Sequence, residues 1–144
     1  MARRIHKGFL ALPFAAMTLA AWPASAPPME QVKPVFEHAL PNVPGKNMVA
    51  VVVSYPPGAK SKPHHHAPSA FIYAHVLSGA VRSRVDDQPA KVYQVGEGFY
   101  ESPGSHHWVS ENASDTAPAS LLAVFVVDAK DKVLTTPDAS EGRE

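Results

Sequence analysis

The 144-residue sequence contains no cysteine. That absence excludes disulfides, thiolate metal ligands and a thiol nucleophile together. No apolar run is long enough to span a bilayer: the best, from Gly8 to Ala21, is short and interrupted by Pro13. No long segment repeats its apolar residues with a 3.6-residue period, which excludes a helical bundle, and no internal repeat is visible. Charge of either sign is not in surplus, with 13 Lys+Arg against 13 Asp+Glu.

What is present begins with a leader. Arg3, Arg4 and Lys7 precede the apolar run, and the small residues Ala24-Ser25-Ala26 follow it. These are the three zones of a secretory signal, so residues 1–26 read as a signal peptide and the protein as exported, periplasmic or secreted. Cleavage after Ala26 would place Pro27 in an unfavourable position; cleavage after Ala20 competes with it. The Arg3-Arg4 pair suggests twin-arginine export, but His6 and Lys7 stand where apolar residues usually follow, and a Sec leader is the plainer reading. The leader holds three of the 13 basic residues and no acidic one, so a chain starting at Pro27 carries 10 positive and 13 negative groups, a net of −3. No basic patch remains for nucleic acid, and no membrane span is expected after processing.

Residues 27–47 are proline-rich (Pro27, Pro28, Pro34, Pro41, Pro44) and read as an extended arm on the body, with one short strand from Pro34 to Leu40. From Met48 the chain changes character. Strands are expected at Met48–Tyr55, Ala70–Leu77, Ala80–Val85, Ala90–Val95, Gly98–Glu101, His107–Glu111 and Ser120–Asp128, separated by Pro-, Gly- and Asp-rich turns. Residues 48–129 therefore form one all-β sandwich or barrel. The polar tail, residues 130–144, is expected to fray.

Five of the eight histidines fall in two runs, His64-His65-His66 and His106-His107. Imidazoles on alternate residues of a strand, His64 and His66, point to one side. A third from a distant strand would complete a facial set of nitrogen donors for a divalent transition metal. The competing reading is a solvated polar loop that binds nickel adventitiously. His65 should point away from the pair, and strand alternation lets only one of His106 and His107 face inward. His75 reads either as a partly buried histidine on the outer face or as an extra donor. Glu101, at a strand end before Ser102-Pro103-Gly104, reads either as a solvated charge or as a fourth ligand or base beside the metal. Phe99, Tyr73, Tyr100 and Trp108 are expected to pack the barrel, with one or two lining a pocket. Asn112 suits a strand-end hydrogen bonder, although Asn112-Ala113-Ser114 also matches a glycosylation sequon.

The order of these features resembles the cupin superfamily. Gly58, His64, His66 and Gly79 match its first motif, and Gly96, Pro103-Gly104, His107 and Asn112 its second, over roughly Val49 to Val127. The resemblance implies a small cupin-like jelly-roll β-barrel with a metal in its mouth, held by His64, His66 and His107. It also implies a homodimer. One part of the pattern is missing: the glutamate usual four or five residues after His-x-His is replaced by Ala70 and Phe71, with Ile72 next. A three-histidine site fits better than one with three histidines and that glutamate.

Neutral imidazoles suit Fe, Mn, Ni, Cu or Zn, so the donor set does not single out one metal. Open coordination positions on such an ion can bind and polarise water, dioxygen or a chelating substrate. The leading expectation is an oxygenase-like enzyme acting on a small organic molecule, with Glu101 as the catalytic base. The alternatives are a non-catalytic binding or sensing cupin and a sugar isomerase or epimerase. A pocket rich in aromatic side chains favours the first, and one lined by hydroxyl and amide groups favours a sugar.

Overall fold

The computed structural model describes residues 29–139. The expected signal peptide, with both cleavage points, and the last five residues lie outside them. Ten strands follow in order: β1 (Gln31–Ala39), β2 (Lys46–Tyr55), β3 (His64–His66), β4 (Phe71–Ser78), β5 (Ala80–Val85), β6 (Lys91–Gln94), β7 (Gly98–Glu101), β8 (His106–Asn112), β9 (Ala119–Asp128) and β10 (Thr135–Pro137). They form two five-stranded antiparallel sheets, ordered β1-β2-β9-β4-β7 and β10-β3-β8-β5-β6. Among the described residues there is no helix. The expected all-β jelly roll is what the chain adopts.

The core lies between the sheets and follows from the two-residue period of a strand. In β9, Ala119, Leu121, Ala123, Phe125 and Val127 are buried and alternate with half-buried neighbours. Ile72, Ala74 and Val76 do the same in β4, while Val81 of β5 closes the space from the second sheet. Each fully buried Ile or Val contributes about 1.5–3 kcal/mol relative to its exposed state. The chain passes from one sheet to the other at Gly79, between β4 and β5. Its φ is +65°, and a Cβ there would lie 2.5 Å from the Pro118 carbonyl oxygen, so only glycine fits.

The proline-rich arm joins the first sheet. β1 pairs along its length with β2 and forms the edge, with one extra residue, Val35, bulged between Pro34 and Phe36. An edge strand can accept Pro34 because a missing N–H costs no ladder bond on the open side. The tail is more ordered than expected: Thr135–Pro137 pairs with His66–His64 as β10. The aromatic residues also differ from expectation. Phe99 is buried, but Tyr73, Tyr100 and Trp108 are exposed, Tyr100 at 65%. Tyr73 and Tyr100 are cross-strand partners on the outer row, each flanked by inward-facing neighbours, so alternation places them outside.

Candidate metal centre

β3 is short, but its position decides the site. It lies between β10 and β8, and His64 stands opposite His107 while His65 stands opposite His106. The inward pair and the outward pair are thereby separated by strand alternation. The ring centroids of His64 and His107 are 5.1 Å apart, and those of His64 and His66 are 4.8 Å apart. One ring nitrogen from each of His64, His66 and His107 lies within 4.8 Å of the others, so the triad could hold a metal ion. A bulge in β8 makes this possible: Arg84 and Val85 of β5 pair with Val109 and His107, which leaves Trp108 as the extra residue. The slip reverses the parity of β8, so that His107 and Ser110 both face inward.

Each imidazole is oriented by a scaffold atom. His64 Nδ1 donates to the Lys62 carbonyl at 2.7 Å. His66 Nδ1 lies 3.2 Å from the Leu134 carbonyl and 3.1 Å from Thr135 Oγ1, both at the start of β10. His107 Nε2 lies 2.8 Å from the buried Ser83 hydroxyl. Such partners fix ring orientation and leave the other nitrogen free for a ligand. Burial holds the His64 imidazole down at about 4, helped by the neighbouring His107 and His66 rings and opposed by the Lys62 carbonyl and Glu101. It is neutral at physiological pH, the form that donates a lone pair.

Glu101 reaches the same place from the other sheet. Its Oε2 is 3.3 Å from His66 Nε2 and its Oε1 is 3.3 Å from His107 Nδ1. The side chain is only 3% exposed, and Oε2 has no well-aligned hydrogen bond. Burial pushes the carboxyl pKa up, but the flanking His107 and His66 rings outweigh it and hold the group at about 2. A buried carboxylate with an unbonded oxygen, beside three convergent imidazoles, is a donor set that fits a divalent cation. The solvated-charge reading of Glu101 is therefore corrected.

The triad opens into a cavity of about 320 Å³ between the sheets. Its walls are largely aliphatic and aromatic, including Val51, Val53, Ile72, Phe99, Leu121 and Phe125, with the hydroxyls of Tyr55, Ser61, Ser110 and Thr135 and the Lys62 side chain as polar points. Tyr55 donates or accepts a 2.7 Å bond with Ser110, and burial raises the pKa of its phenol. Glu30, just ahead of β1, also lines the cavity.

The other candidates fall elsewhere. His75 is on the outer row, its Nδ1 3.2 Å from the Tyr73 hydroxyl, and supplies nothing to the triad. His65 and His106 stack on each other on the outer face, as alternation requires. Asn112 is buried, and its amide nitrogen donates toward the carbonyls of Tyr55, Pro56 and Ala117. That is the expected strand-end role, and it leaves the nitrogen engaged rather than free for a glycan. Ser83, Tyr55 and the Leu134 carbonyl escaped sequence reasoning. Ser83, a polar residue on an apolar inward row of β5, carried a readable signal; the Leu134 carbonyl carried none.

This arrangement, a two-sheet jelly roll with histidines gathered at one mouth, defines a class of small β-barrel with a candidate metal centre. The family model of the cupin domain matches residues 51–125, more than half of the chain, and the protein belongs to the cupin family. No curated protein matches the sequence at a significant level. Among solved structures, the TT1209 protein from Thermus thermophilus is similar at 23% identity and a TM-score of 0.56, over 69% of this chain and 84% of that one. A recombinant oxalate oxidase in complex with glycolate is similar at 23% identity and a TM-score of 0.54, over 70% of this chain and 52% of that one. DMSP lyase DddQ from Ruegeria pomeroyi DSS-3 gives 20% identity and a TM-score of 0.54, over 67% of this chain and 45% of that one. The chain thus spans about half the length of these two enzymes. At such identities the likeness establishes the fold.

Proposed function

We propose that the protein is an exported cupin enzyme, oxygenase-like, that binds one divalent transition metal at His64, His66 and His107 and acts on a small, largely apolar organic substrate. The observation that carries the reading is three convergent, oriented imidazoles, two of them against a buried, ionised Glu101, on the lining of a largely apolar cavity. A metal bound there would supply Lewis acidity and a meeting point for a chelating oxygen substrate and dioxygen. Glu101, unprotonated at neutral pH and lining the cavity, would take a proton from the substrate at its carboxylate. The aliphatic walls would orient the substrate body and exclude water. The predominance of aliphatic side chains on those walls favours an apolar substrate body over a sugar, with the hydroxyls of Tyr55, Ser61, Ser110 and Thr135 as the polar points of contact.

Export rests on the basic, apolar and small-residue zones of residues 1–26. A homodimer is supported by the open, exposed edge of β1, which a jelly roll must cover.

Elemental analysis of protein isolated from its own compartment, with oxygen uptake on a panel of β-diketones and catechols, tests the proposal. At least one metal per chain, one of which is lost in His64→Ala with His66→Ala, and uptake that disappears in Glu101→Gln are expected. Bound metal without uptake on any substrate would replace the enzyme reading with a binding cupin. Metal content unchanged in His64→Ala with His66→Ala would overturn the site itself.

A further inference from the structure

The outer face of the same strands carries a second set of donors that the reading above does not use. We propose that His65, His106 and Asp138 form a second divalent-metal site, on the outside of the barrel, that fastens the C-terminal strand to it. His65 and His106 are direct cross-strand partners, and their rings stack at 4.0 Å with a 12° interplanar angle. Both rings turn the same nitrogen toward one carboxylate. His106 Nε2 is 2.8 Å from Asp138 Oδ2, and His65 Nε2 is 3.9 Å from Oδ1. One donor atom from each of the three residues lies within 4.8 Å of the others.

The donors are set by the backbone. Asp138 follows β10 directly, and its N–H donates to the Pro63 carbonyl at 2.9 Å, which holds it beside β3. The His106 N–H donates to Asp86 Oδ1 at 2.8 Å. Trp108, the bulge residue of β8, packs against the His106 ring at 3.8 Å and limits its rotation. Two imidazoles and a carboxylate, with His65 the most exposed and His106 the least, suit a borderline ion such as zinc. Such an ion would tie β3, β8 and the segment after β10 together. At the other end of β10, Thr135 and the preceding Leu134 supply the hydroxyl and the carbonyl that orient His66. The two sites would thus share one structural support while facing opposite sides of it.

Zinc titration of the tag-free full chain after EDTA treatment tests this, by calorimetry and by equilibrium dialysis with elemental analysis. Wild type is expected to bind two equivalents. Asp138→Asn and His106→Gln are each expected to weaken one of them at least tenfold, with the thermal transition retained because each replacement is close in size to the side chain it replaces. His64→Ala should weaken the other. If the inner triad binds no zinc, wild type takes a single equivalent that Asp138→Asn weakens, which keeps this proposal and excludes only zinc from the inner triad. Zinc binding unaltered by Asp138→Asn and by His106→Gln, including uptake by the histidine run alone, would overturn the proposal.

Discussion

Ile72 of β4 stands directly across from Glu101 of β7. Ile72 lies just past the positions where the cupin pattern usually carries a glutamate, and the carboxylate of this chain comes from its cross-strand partner instead. Neighbouring strands are about 5 Å apart, so a side chain moved from one to the next still reaches the same cavity. The site keeps an acidic group beside its imidazoles while the sequence motif loses it.

Glu101→Gln preserves shape and removes the charge. It is expected to retain metal at the three imidazoles and to lower turnover by about 10²–10⁴-fold, the range for a positioned base. Metal analysis beside steady-state rates separates these effects. Equal loss of metal and rate would make Glu101 a ligand rather than a base.

Ser83→Ala removes the partner of His107 Nε2. Loss of such an outer hydrogen bond typically costs about 10–100-fold in metal affinity. Competition with a chromogenic chelator should show a drop at the lower end of that range, with the fold intact by circular dichroism.

Acid should destabilise the metal-free protein in two steps. His64 is held at about 4, below its ordinary 6.5, so the unfolded chain binds more protons and stability falls as pH drops from 6.5 to 4. Glu101 is held at about 2, below its ordinary 4.5, and its contribution, full above 4.5, is lost as pH falls toward 2. Urea midpoints measured from neutral pH down into the acid range should decline throughout. His64→Gln should flatten the upper part of the curve, and an unchanged slope there would contradict the assignment.

Gly79→Ala places a methyl group against the Pro118 carbonyl and Ala119 in a left-handed backbone position. The conformation alone costs about 1–2 kcal/mol, and the clash adds to it. A lower denaturation midpoint with an unchanged denaturant slope is the expected result.

Much of the site was legible because strand alternation is a local rule. His64 and His66 share a face for the same reason that His65 does not, and the turn residues between apolar runs marked nearly every strand. Glu101 could be flagged as a strand-end carboxylate, but its partners could not. They depend on which strands lie side by side, a matter of long-range pairing. The exposed aromatics show the same limit: Tyr73 and Tyr100 have the hydrophobic bulk of core residues, yet register sets them on the outer row. Trp108 illustrates a bulge, where one extra residue overturns the parity that sequence reading assumes.

The sequence by itself determined the absence of thiol chemistry, the β character of residues 48–129 and the shared face of His64 and His66, because composition and a two-residue period are local properties, whereas His107 was singled out over His106 by the resemblance to the cupin motif. Only the tertiary structure decided that Glu101 faces His66 and His107, that β10 orients His66, and that His65 and His106 meet Asp138 outside the barrel. Those contacts join residues from 6 to 73 positions apart, and no local preference encodes which distant strands pack together.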